Sequence, residues 1–436
     1  MNPPTVAVIG LGKVGLPLAA ALASRGLSVR GFDPDPGRRA LLRSHDPAQP
    51  EIRYERGLSE ALRSSADRLR PADTVAEAVA DAAVALVIVP TPSLADGRFC
   101  NAAVASAFRA IGESGTLPDG LVVNLVSTVS PGAIGTELQP LLEATAGRRC
   151  GHGISLCYSP ALIALGNVLE GFLRPDFAFI GEVDAPGADR LEALFRDQFI
   201  PDVPIRRLSA QGVEIAKIAI NNFLTTKISF ANLIGQLCER TPGADVDAVL
   251  GALGSDSRIG PRCLHAGMGY GGPCLPRDTA ALSASLAGAG LGADLPTAVE
   301  GLNRGHVDFL ARLDGPVQGR QVTVLGLGYK AGSNVTMDSA AIELCNRLAE
   351  LGAVVTAADS QADAMDLGAL AAAVRVTSRP ETVLPNTELL LLTGSDELPV
   401  QAAAALPASA TVVDLGGRYE APQGRPVRRF GRRPRD

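Results

Sequence analysis

A single cysteine stands at the end of a glycine-rich segment, and a carboxylate follows it four residues later. Residues 267–272 contain four glycines, and Cys274 is followed by Pro276 and Asp278. Glycines let the backbone turn sharply and approach a ligand, whereas this proline and aspartate are typical of the first turn of a helix. The positive end of a helix dipole favours a thiolate, the form that acts as a covalent nucleophile. An isolated cysteine is commonly a small buried residue, but this setting predicts a reactive one.

A polar stripe lies on one face of a long predicted helix. Residues 211–240 form one helical pattern in which Glu214, Lys217 and Asn221 recur at spacings of three and four. These spacings place the three side chains on one face. A solvated stripe is the simplest explanation, but the stripe adjoins the very apolar residues 215–220. A lysine near a thiol can stabilise alkoxide and oxyanion charge.

The chain opens with a strand, a glycine turn, a helix and a second strand, in that order. Residues 5–9 form the first strand, residues 16–24 the helix, and residues 28–32 the second strand, which ends at Asp33. This order is typical of a dinucleotide site. The Asp33 carboxylate is suited to bind the adenosine ribose diol and to repel a 2′-phosphate, so NAD is favoured over NADP.

The turn itself has the pattern Gly-x-Gly-x-x-Gly. Gly10 permits the tight turn, Gly12 lets the backbone reach the pyrophosphate, and Gly15 allows close helix packing. The pyrophosphate is expected on the helix N-terminus. We therefore expect these glycines, together with Val14 and Asp33, to bind the cofactor; the alternative is a tight turn with a surface aspartate.

The last third of the chain repeats this rhythm. Residues 321–328 form a strand and a glycine turn, residues 354–358 a strand that ends at Asp359, and residues 389–393 a further strand. The fold class predicted is α/β, with two Rossmann-like doubly wound parallel-sheet domains joined by a central helical region with one long helix.

We expect three domains. Residues 1–205 form an N-terminal NAD-binding domain, and residues 206–305 a central helical region with the cysteine loop. Residues 306–436 form a C-terminal Rossmann-like domain. The long helix has the length and apolar content of a dimer-forming helix, so a homodimer or a higher even oligomer is expected.

The cysteine segment resembles the active-site signature of the nucleotide-sugar dehydrogenases. Residues 269–278, Gly-Tyr-Gly-Gly-Pro-Cys-Leu-Pro-Arg-Asp, carry the resemblance, which extends over nearly the whole chain. This family includes the UDP-glucose and GDP-mannose 6-dehydrogenases, which oxidise a primary alcohol twice with two NAD molecules. The resemblance implies an NAD-dependent oxidoreductase acting on a nucleotide-linked sugar, above all a UDP-sugar, through a thiohemiacetal and a thioester on Cys274.

Further matches to the family imply roles for single residues. Thr91 and Thr128 fall in turns after predicted strands, at residues 84–89 and 121–126, where open parallel sheets bind ligands. By the resemblance both threonines lie along the nicotinamide side of NAD, and Thr128 helps to hold a water. The implied catalytic residues are Cys274, Lys217, Asn221, Asp278 and Thr128. The implied substrate-binding residues are Lys217, Asn221, Arg258 from a neighbouring subunit, Tyr270, Gly271, Tyr329 and Lys330, the last two in the domain that binds the sugar nucleotide.

Three of the positions at which the sequence departs from the family bear directly on its chemistry. Ala161 and Leu165 stand where the family has glutamates, the first of which is associated with acid–base work and with delivery of water to the thioester. Met337 stands where a substrate-contacting arginine is usual. Three outcomes stay open: complete oxidation to a uronic acid; a changed outcome, such as an aldehyde, a ketone or acyl transfer; and a catalytically weak homologue that only binds nucleotide.

Composition limits the partners and the location of the 436-residue chain. The net charge of −6 gives no electrostatic reason to expect nucleic acid or an anionic membrane as a partner. We recognise neither a secretory leader nor an apolar run long enough to span a membrane, so a cytoplasmic protein is expected. The seven cysteines fit reduced thiols. No metal site is expected, since Cys150, His152 and Cys157 match no common zinc spacing.

Overall fold

A computed structural model describes residues 4–44, 46, 48–115, 117–394, 404–417, 419 and 426–433 of the chain. The chain divides into two compact units, Met1–Ala219 and Ile220–Asp436. Each unit contains its own sheet, and the division between them falls within one long helix, α10 (Ala210–Glu239). The predicted division into three domains stays a prediction.

The first unit is built on an eight-stranded sheet with the order β3-β2-β1-β4-β5-β6-β7-β8. Every neighbouring pair is parallel except β6 with β7, which is antiparallel. The strands are β1 (Thr5–Ile9), β2 (Ser28–Phe32), β3 (Leu69–Pro71), β4 (Ala82–Val87), β5 (Leu121–Leu125), β6 (Ile154–Tyr158), β7 (Ala178–Glu182) and β8 (Ile205–Ser209).

Helices connect these strands. They are α1 (Gly15–Ser24), α2 (Pro36–Leu41), α3 (Pro50–Arg53), α4 (Leu58–Ser64), α5 (Val75–Val79), α6 (Ala102–Gly112), α7 (Gln139–Ala146), α8 (Val168–Leu173) and α9 (Ala185–Leu194). Two π-helical turns are also present, Ile134–Leu138 before α7 and Phe195–Phe199 after α9.

The central strands are largely apolar, as expected of strands that are covered on both faces of the sheet. All five residues of β5 are buried, which is the pattern of a parallel strand in the middle of a doubly wound sheet. The strand order reverses between β1 and β4. Such a reversal leaves a crevice at the carboxyl ends of the strands, where this fold class binds its ligands.

The second unit is built on a six-stranded sheet with the order β11-β10-β9-β12-β13-β14, parallel throughout. Its strands are β9 (Gln321–Leu325), β10 (Val354–Ala358), β11 (Arg375–Thr377), β12 (Leu389–Leu392), β13 (Thr411–Asp414) and β14 (Arg428–Arg429). After α10 its helices are α11 (Val246–Gly254), α12 (Leu275–Gly288), α13 (Asp294–Ala311) and α14 (Ala340–Glu350), and its 3₁₀ turns are Ala362–Ala364, Pro380–Thr382 and Leu384–Asn386.

The predicted fold class is confirmed. Both sheets have the strand order expected of doubly wound domains. The long helix was expected over residues 211–240 and is α10, displaced by one residue at each end. Strand boundaries differ more: the strand predicted over residues 84–89 is β4, which begins and ends two residues earlier.

Candidate active site

Close contacts explain two of the three glycines in the first turn. Gly10 has a φ of +102°, and a side chain there would approach the Ile88 carbonyl oxygen to 2.1 Å. A side chain on Gly15 would meet the Gly10 carbonyl oxygen at 1.9 Å, so Gly15 is required for α1 to pack against the turn. Among the described residues, apart from its two chain neighbours, a Cβ added at Gly12 would have only the Arg38 guanidinium within 4 Å, at 3.8 Å. Gly12 therefore leaves space above the backbone at the point where a pyrophosphate is expected.

The predicted ribose ligand, Asp33, is held rigidly. Its carboxylate is buried and accepts hydrogen bonds from the backbone N–H groups of Leu11 (2.8 Å) and Asp35 (3.0 Å). Arg38 lies 3.7 Å from the same carboxylate, and Arg39 donates to the Asp33 carbonyl oxygen at 2.8 Å. Each carboxylate oxygen has further lone pairs with which to accept a ribose hydroxyl. The turn, the open space at Gly12 and this anchored carboxylate fit a dinucleotide.

Two threonines meet at the ends of β4 and β5. The Thr91 hydroxyl donates to the Thr128 carbonyl oxygen at 2.8 Å. The Ser127 hydroxyl accepts from the Val89 N–H at 2.8 Å and donates to the Val89 carbonyl oxygen at 2.7 Å. These bonds fix the two turns together, and the structure thus brings Thr91 and Thr128 to one place in the first unit.

Glu214 holds the segment after Thr128. Its side chain is fully buried, and its carboxylate accepts from the N–H groups of Gly132 (2.6 Å) and Ile134 (2.8 Å). Burial raises the pKa of Glu214, and these two donors partly oppose that effect. The sequence placed Glu214 on the same face as Lys217 but gave it no role. Its contacts identify it as a positioning residue that joins the Thr128 turn to α10.

The segment after β6 has lost its carboxylates to apolar packing. Ala161 is partly buried and packs against the core of the first unit. Leu165 is also partly buried. In the described residues of the Ser159–Gly166 segment no glutamate or aspartate is present, so this segment offers no general base.

In the second unit two asparagines tie α10 to α12. Asn221 donates to the Asp278 carboxylate at 2.6 Å, and Asn222 donates to the Asp278 carbonyl oxygen at 2.9 Å. Asp278 is 1% exposed. Cys274 is the residue immediately before α12 and is exposed, as a nucleophile at a helix N-terminus must be. The structure therefore brings Asn221 and Asp278 into contact and places Cys274 at the start of the helix that carries Asp278. Lys217 lies one turn before Asn221 on α10.

Side chains from two helices anchor the glycine-rich loop that precedes Cys274. Asn232 of α10 accepts from the Gly267 N–H at 2.8 Å, and His306 of α13 contacts the Gly267 carbonyl oxygen at 2.7 Å. Asn303 of α13 accepts from the Tyr270 N–H (2.9 Å) and donates to its carbonyl oxygen (3.0 Å). A side chain on Gly269 would lie 2.6 Å from the Asn303 amide oxygen, which explains that glycine.

The loop ends against the segment that follows β9. The Gly272 N–H donates to the Met337 carbonyl oxygen at 3.0 Å, and a Cβ on Gly271 would meet the Asp338 carbonyl oxygen at 2.0 Å. A Cβ on Gly272 would lie 2.4 Å from the Tyr329 ring. Burial is the main cause that raises the pKa of Tyr329 to about 12, and the nearby charge of Cys274 adds to it. Tyr329 thus lies close to both the glycine-rich loop and Cys274.

Three other predicted substrate residues have different settings. The Tyr270 side chain is buried, and burial raises its pKa. The Lys330 ammonium lies 5.8 Å from the centre of the Tyr329 ring. The Arg258 side chain is 86% exposed and pairs with Asp256 at 2.6 Å. Its predicted action on a neighbouring subunit stays a prediction.

The second unit also contains a counterpart of Asp33. The Asp359 carboxylate accepts from the N–H groups of Leu327 (2.7 Å) and Gln361 (2.8 Å), and Gly326 has a φ of +95°. This is the arrangement found around Asp33 and Gly10. The sequence showed both the turn and the aspartate, but gave no role to Asp359.

Neither a membrane helix nor a metal site is found in the part of the chain that the structure describes. There, no helix combines the length and the apolar character that crossing a membrane requires. The same described residues include no group of three or more histidine, cysteine, aspartate or glutamate side chains placed to hold a metal ion.

Three family models match the chain in sequence. They describe the NAD binding domain (residues 4–199), the central domain (residues 211–305) and the UDP binding domain (residues 323–420) of the UDP-glucose/GDP-mannose dehydrogenase family. These matches confirm the expected NAD cofactor and the expected resemblance.

Individual proteins similar to this chain belong to the same family as the three matching family models. The chain is 34% identical to UDP-glucose 6-dehydrogenase AglM of Haloferax volcanii, over 81% of this chain and 83% of that protein. It is 32% identical to UDP-glucose 6-dehydrogenase of Pseudomonas aeruginosa, over 82% and 79% respectively. The structure of a UDP-glucose dehydrogenase from Pyrobaculum islandicum superposes with a TM-score of 0.82 at 32% identity, covering 96% of this chain and 94% of that one. The chain therefore belongs to the UDP-glucose/GDP-mannose dehydrogenase family of NAD-dependent oxidoreductases.

Proposed function

We propose that the protein oxidises the primary alcohol of a nucleotide-linked sugar, most readily a UDP-sugar, with Cys274 as its covalent nucleophile. The observation that supports this most strongly is the cluster of an exposed Cys274 at the start of α12 and a buried Asp278 that accepts from Asn221. A merely nucleotide-binding protein would need neither an exposed thiol at a helix N-terminus nor a buried carboxylate beside it.

Each residue of the cluster has a defined task. Lys217 and Asn221 hold the reacting oxygen, and Asp278 fixes the orientation of Asn221. The turn around Gly10 and Asp33 would hold NAD, which supplies the hydride acceptor for both oxidations. The first oxidation removes a proton and a hydride from the alcohol and leaves an aldehyde. The Cys274 thiol adds to the aldehyde carbon, its proton passing to the carbonyl oxygen, and the resulting thiohemiacetal loses a proton and a hydride to become a thioester. Water then releases the acid and restores the thiol.

Our second candidate is a reaction that ends in a product other than the free acid. The environment of Ala161 favours this candidate. Hydrolysis of a thioester needs an oriented water, and the segment that carries Ala161 and Leu165 offers no carboxylate to activate one. The acyl group would then stay on Cys274 until an acceptor other than water removes it.

The natural substrate is proposed to differ from UDP-glucose because of Met337. Its side chain is 58% exposed and carries no charge. An arginine that binds phosphate or sugar oxygens contributes about 1.5–3 kcal/mol, so its absence weakens binding of UDP-glucose by about ten- to a hundredfold. Met337→Arg would restore much of that affinity.

We also propose a homodimer or higher even oligomer in the cytoplasm. Residues of α10 that are exposed in the single chain include Phe223, Phe230, Leu233 and Leu237, which recur at helical spacing on one face. All seven cysteines are free thiols, as expected in a reducing compartment. Residues 1–205 would hold NAD, residues 206–305 the cysteine and the pairing helix, and residues 306–436 the sugar nucleotide.

The test is a panel of UDP-glucose, GDP-mannose and UDP-N-acetylmannosamine, with NADH followed by absorbance and products identified by mass. At least one sugar nucleotide should give NADH, and Cys274→Ala should abolish acid formation. Binding of a sugar nucleotide without any NADH, at saturating NAD, would show that the protein is only a nucleotide-binding homologue.

A further inference from the structure

The first unit contains a cavity whose lining includes none of the proposed catalytic residues. It lies beneath the segment that follows β6 and is bounded by α1, β4, β5, α8, β7 and the π-helical turn after α9. Its volume is about 60 Å³, several times the roughly 10–15 Å³ that one water molecule requires. It is therefore large enough for an organic group.

The walls are mainly apolar and include several aromatic rings. Five phenylalanines line the cavity, namely Phe172, Phe177, Phe179, Phe195 and Phe199. Phe177 and Phe179 meet edge to face, with ring centres 4.9 Å apart. Aromatic rings prefer edge-to-face or offset contacts with other rings. The lining residues within the described part of the chain include no charged side chain, so a charged ligand would lose its hydration without gaining a partner.

One polar side chain among the lining residues is out of place. Asn124 lies in the buried strand β5 and is 1% exposed. Neither its amide oxygen nor its amide nitrogen has a hydrogen-bond partner among the described residues, and the same holds for the hydroxyl of Ser159 at the edge of the cavity. Buried polar groups in native proteins are nearly always paired, so each exception requires an explanation.

We propose that this cavity is a binding site for a small, uncharged aromatic molecule with a carboxamide or an equivalent donor–acceptor pair. The side-chain amide of Asn124 offers one acceptor and one donor side by side, which a second carboxamide complements. The phenylalanine side chains pack against the aromatic ring of the ligand. Since Ser159, Ala161 and Ile163 form part of the wall, an occupant also steadies the segment that follows β6.

The probe is 4-fluorobenzamide, observed by ¹⁹F NMR with the full-length protein in saturating NAD, so that the cofactor site is blocked. Saturable binding with a Kd of about 0.1–1 mM is expected for a ligand of this size. 4-Fluorotoluene, which lacks the amide, should bind about tenfold more weakly. 4-Fluorobenzoate should not bind measurably.

Two variants locate the site. Asn124→Leu should remove the preference for 4-fluorobenzamide while keeping the binding of 4-fluorotoluene, and Ala178→Leu should fill the cavity and abolish both. Melting temperature and NADH binding report whether each variant is folded. If Ala178→Leu does not fold, the loss of preference in Asn124→Leu decides alone.

Three results would overturn the proposal: no saturable binding, which would mean a cavity filled only by water; equal binding of the two neutral probes to the wild type; or unchanged preference in Asn124→Leu. These results say nothing about sugar nucleotide oxidation, because neither variant alters a residue of the proposed catalytic cluster.

Discussion

The side chain of Asn221 donates a hydrogen bond to the buried carboxylate of Asp278 at 2.6 Å, and this contact joins α10 to the first turn of α12. Asn222 strengthens the junction by donating to the Asp278 carbonyl oxygen at 2.9 Å. Because Cys274 immediately precedes α12, the contacts of Asn221 and Asn222 with Asp278 also position the proposed nucleophile. A shift of α12 would therefore displace the thiol.

Replacing the Asp278 carboxylate should damage catalysis more than stability. Asp278→Asn keeps the shape of the side chain but removes the charged acceptor that orients Asn221. A hydrogen bond to a charged group is worth about 1.5–3 kcal/mol, so turnover should fall by about 10- to 100-fold. Asn222→Ala is the matched control, since it removes only the contact to the backbone carbonyl and should mainly lower the melting temperature. Steady-state NADH formation and thermal unfolding measure the two effects. More than a tenth of wild-type turnover in Asp278→Asn would contradict the role.

The second prediction concerns the choice of cofactor. The buried Asp33 carboxylate disfavours a 2′-phosphate, so NAD should bind at least about tenfold more tightly than NADP. Asp33→Ala should narrow that gap, because Arg38 and Arg39 stay close to the vacated position. Titration of the purified protein with both cofactors measures the ratio. Asp81→Ala, which removes an exposed carboxylate of an ion pair with Arg30, serves as control; equal affinities in the wild type would refute the assignment.

Assembly through α10 is the third prediction. Leu237 is 61% exposed in the single chain, and Leu237→Glu should place charges against each other in a paired helix and shift the protein toward monomers. Leu291→Glu, at a 60% exposed leucine outside the helix, should not do so. Sedimentation velocity separates the species. A wild type that is a stable, active monomer would also exclude action of Arg258 on a neighbouring subunit.

The fourth prediction concerns how far the reaction goes. Without a carboxylate at position 161, release of the acyl group should be slow, by about 10²–10⁴-fold, and a thioester should accumulate on Cys274. Ala161→Glu should speed release of the acid when the assay uses the natural substrate. Intact-protein mass spectrometry during turnover, beside a count of NADH per substrate, tests this. Two NADH per substrate with free acid and no adduct would reveal another activating group.

The fifth prediction concerns stability at acid pH. Burial lowers the pKa of His306 to about 4 from its ordinary value of 6.5. The folded protein therefore favours the neutral ring. The contribution of His306 to the free energy of unfolding is complete above pH 6.5 and is lost as the pH falls toward 4. The upper limit of this contribution is about 3 kcal/mol.

His306→Gln should therefore flatten the fall in melting temperature between pH 7 and pH 5. His265→Gln, at an exposed histidine, should leave that fall unchanged. If the wild type and His306→Gln lose stability in parallel, other groups are responsible for the acid sensitivity.

The sequence by itself determined the features that depend on short stretches of chain. The glycine turn with Asp33, the helix starting after Cys274 and the extent of α10 all follow from local conformational preference and periodicity. The sequence also showed that Ala161 and Leu165 replace the glutamates of the family. Parallel strands such as β5 appeared as apolar runs, since both of their faces are covered.

Only the tertiary structure decided which distant residues hold the site in place. Asn303 contacts Tyr270 from 33 residues away, His306 contacts Gly267 from 39, and Glu214 contacts Gly132 from 82. No pattern in the sequence encodes such pairs, because the side chain of an asparagine or a glutamate looks the same whether it is solvated or buried. Their roles arise when packing removes water and leaves backbone N–H and carbonyl groups that only these side chains can satisfy.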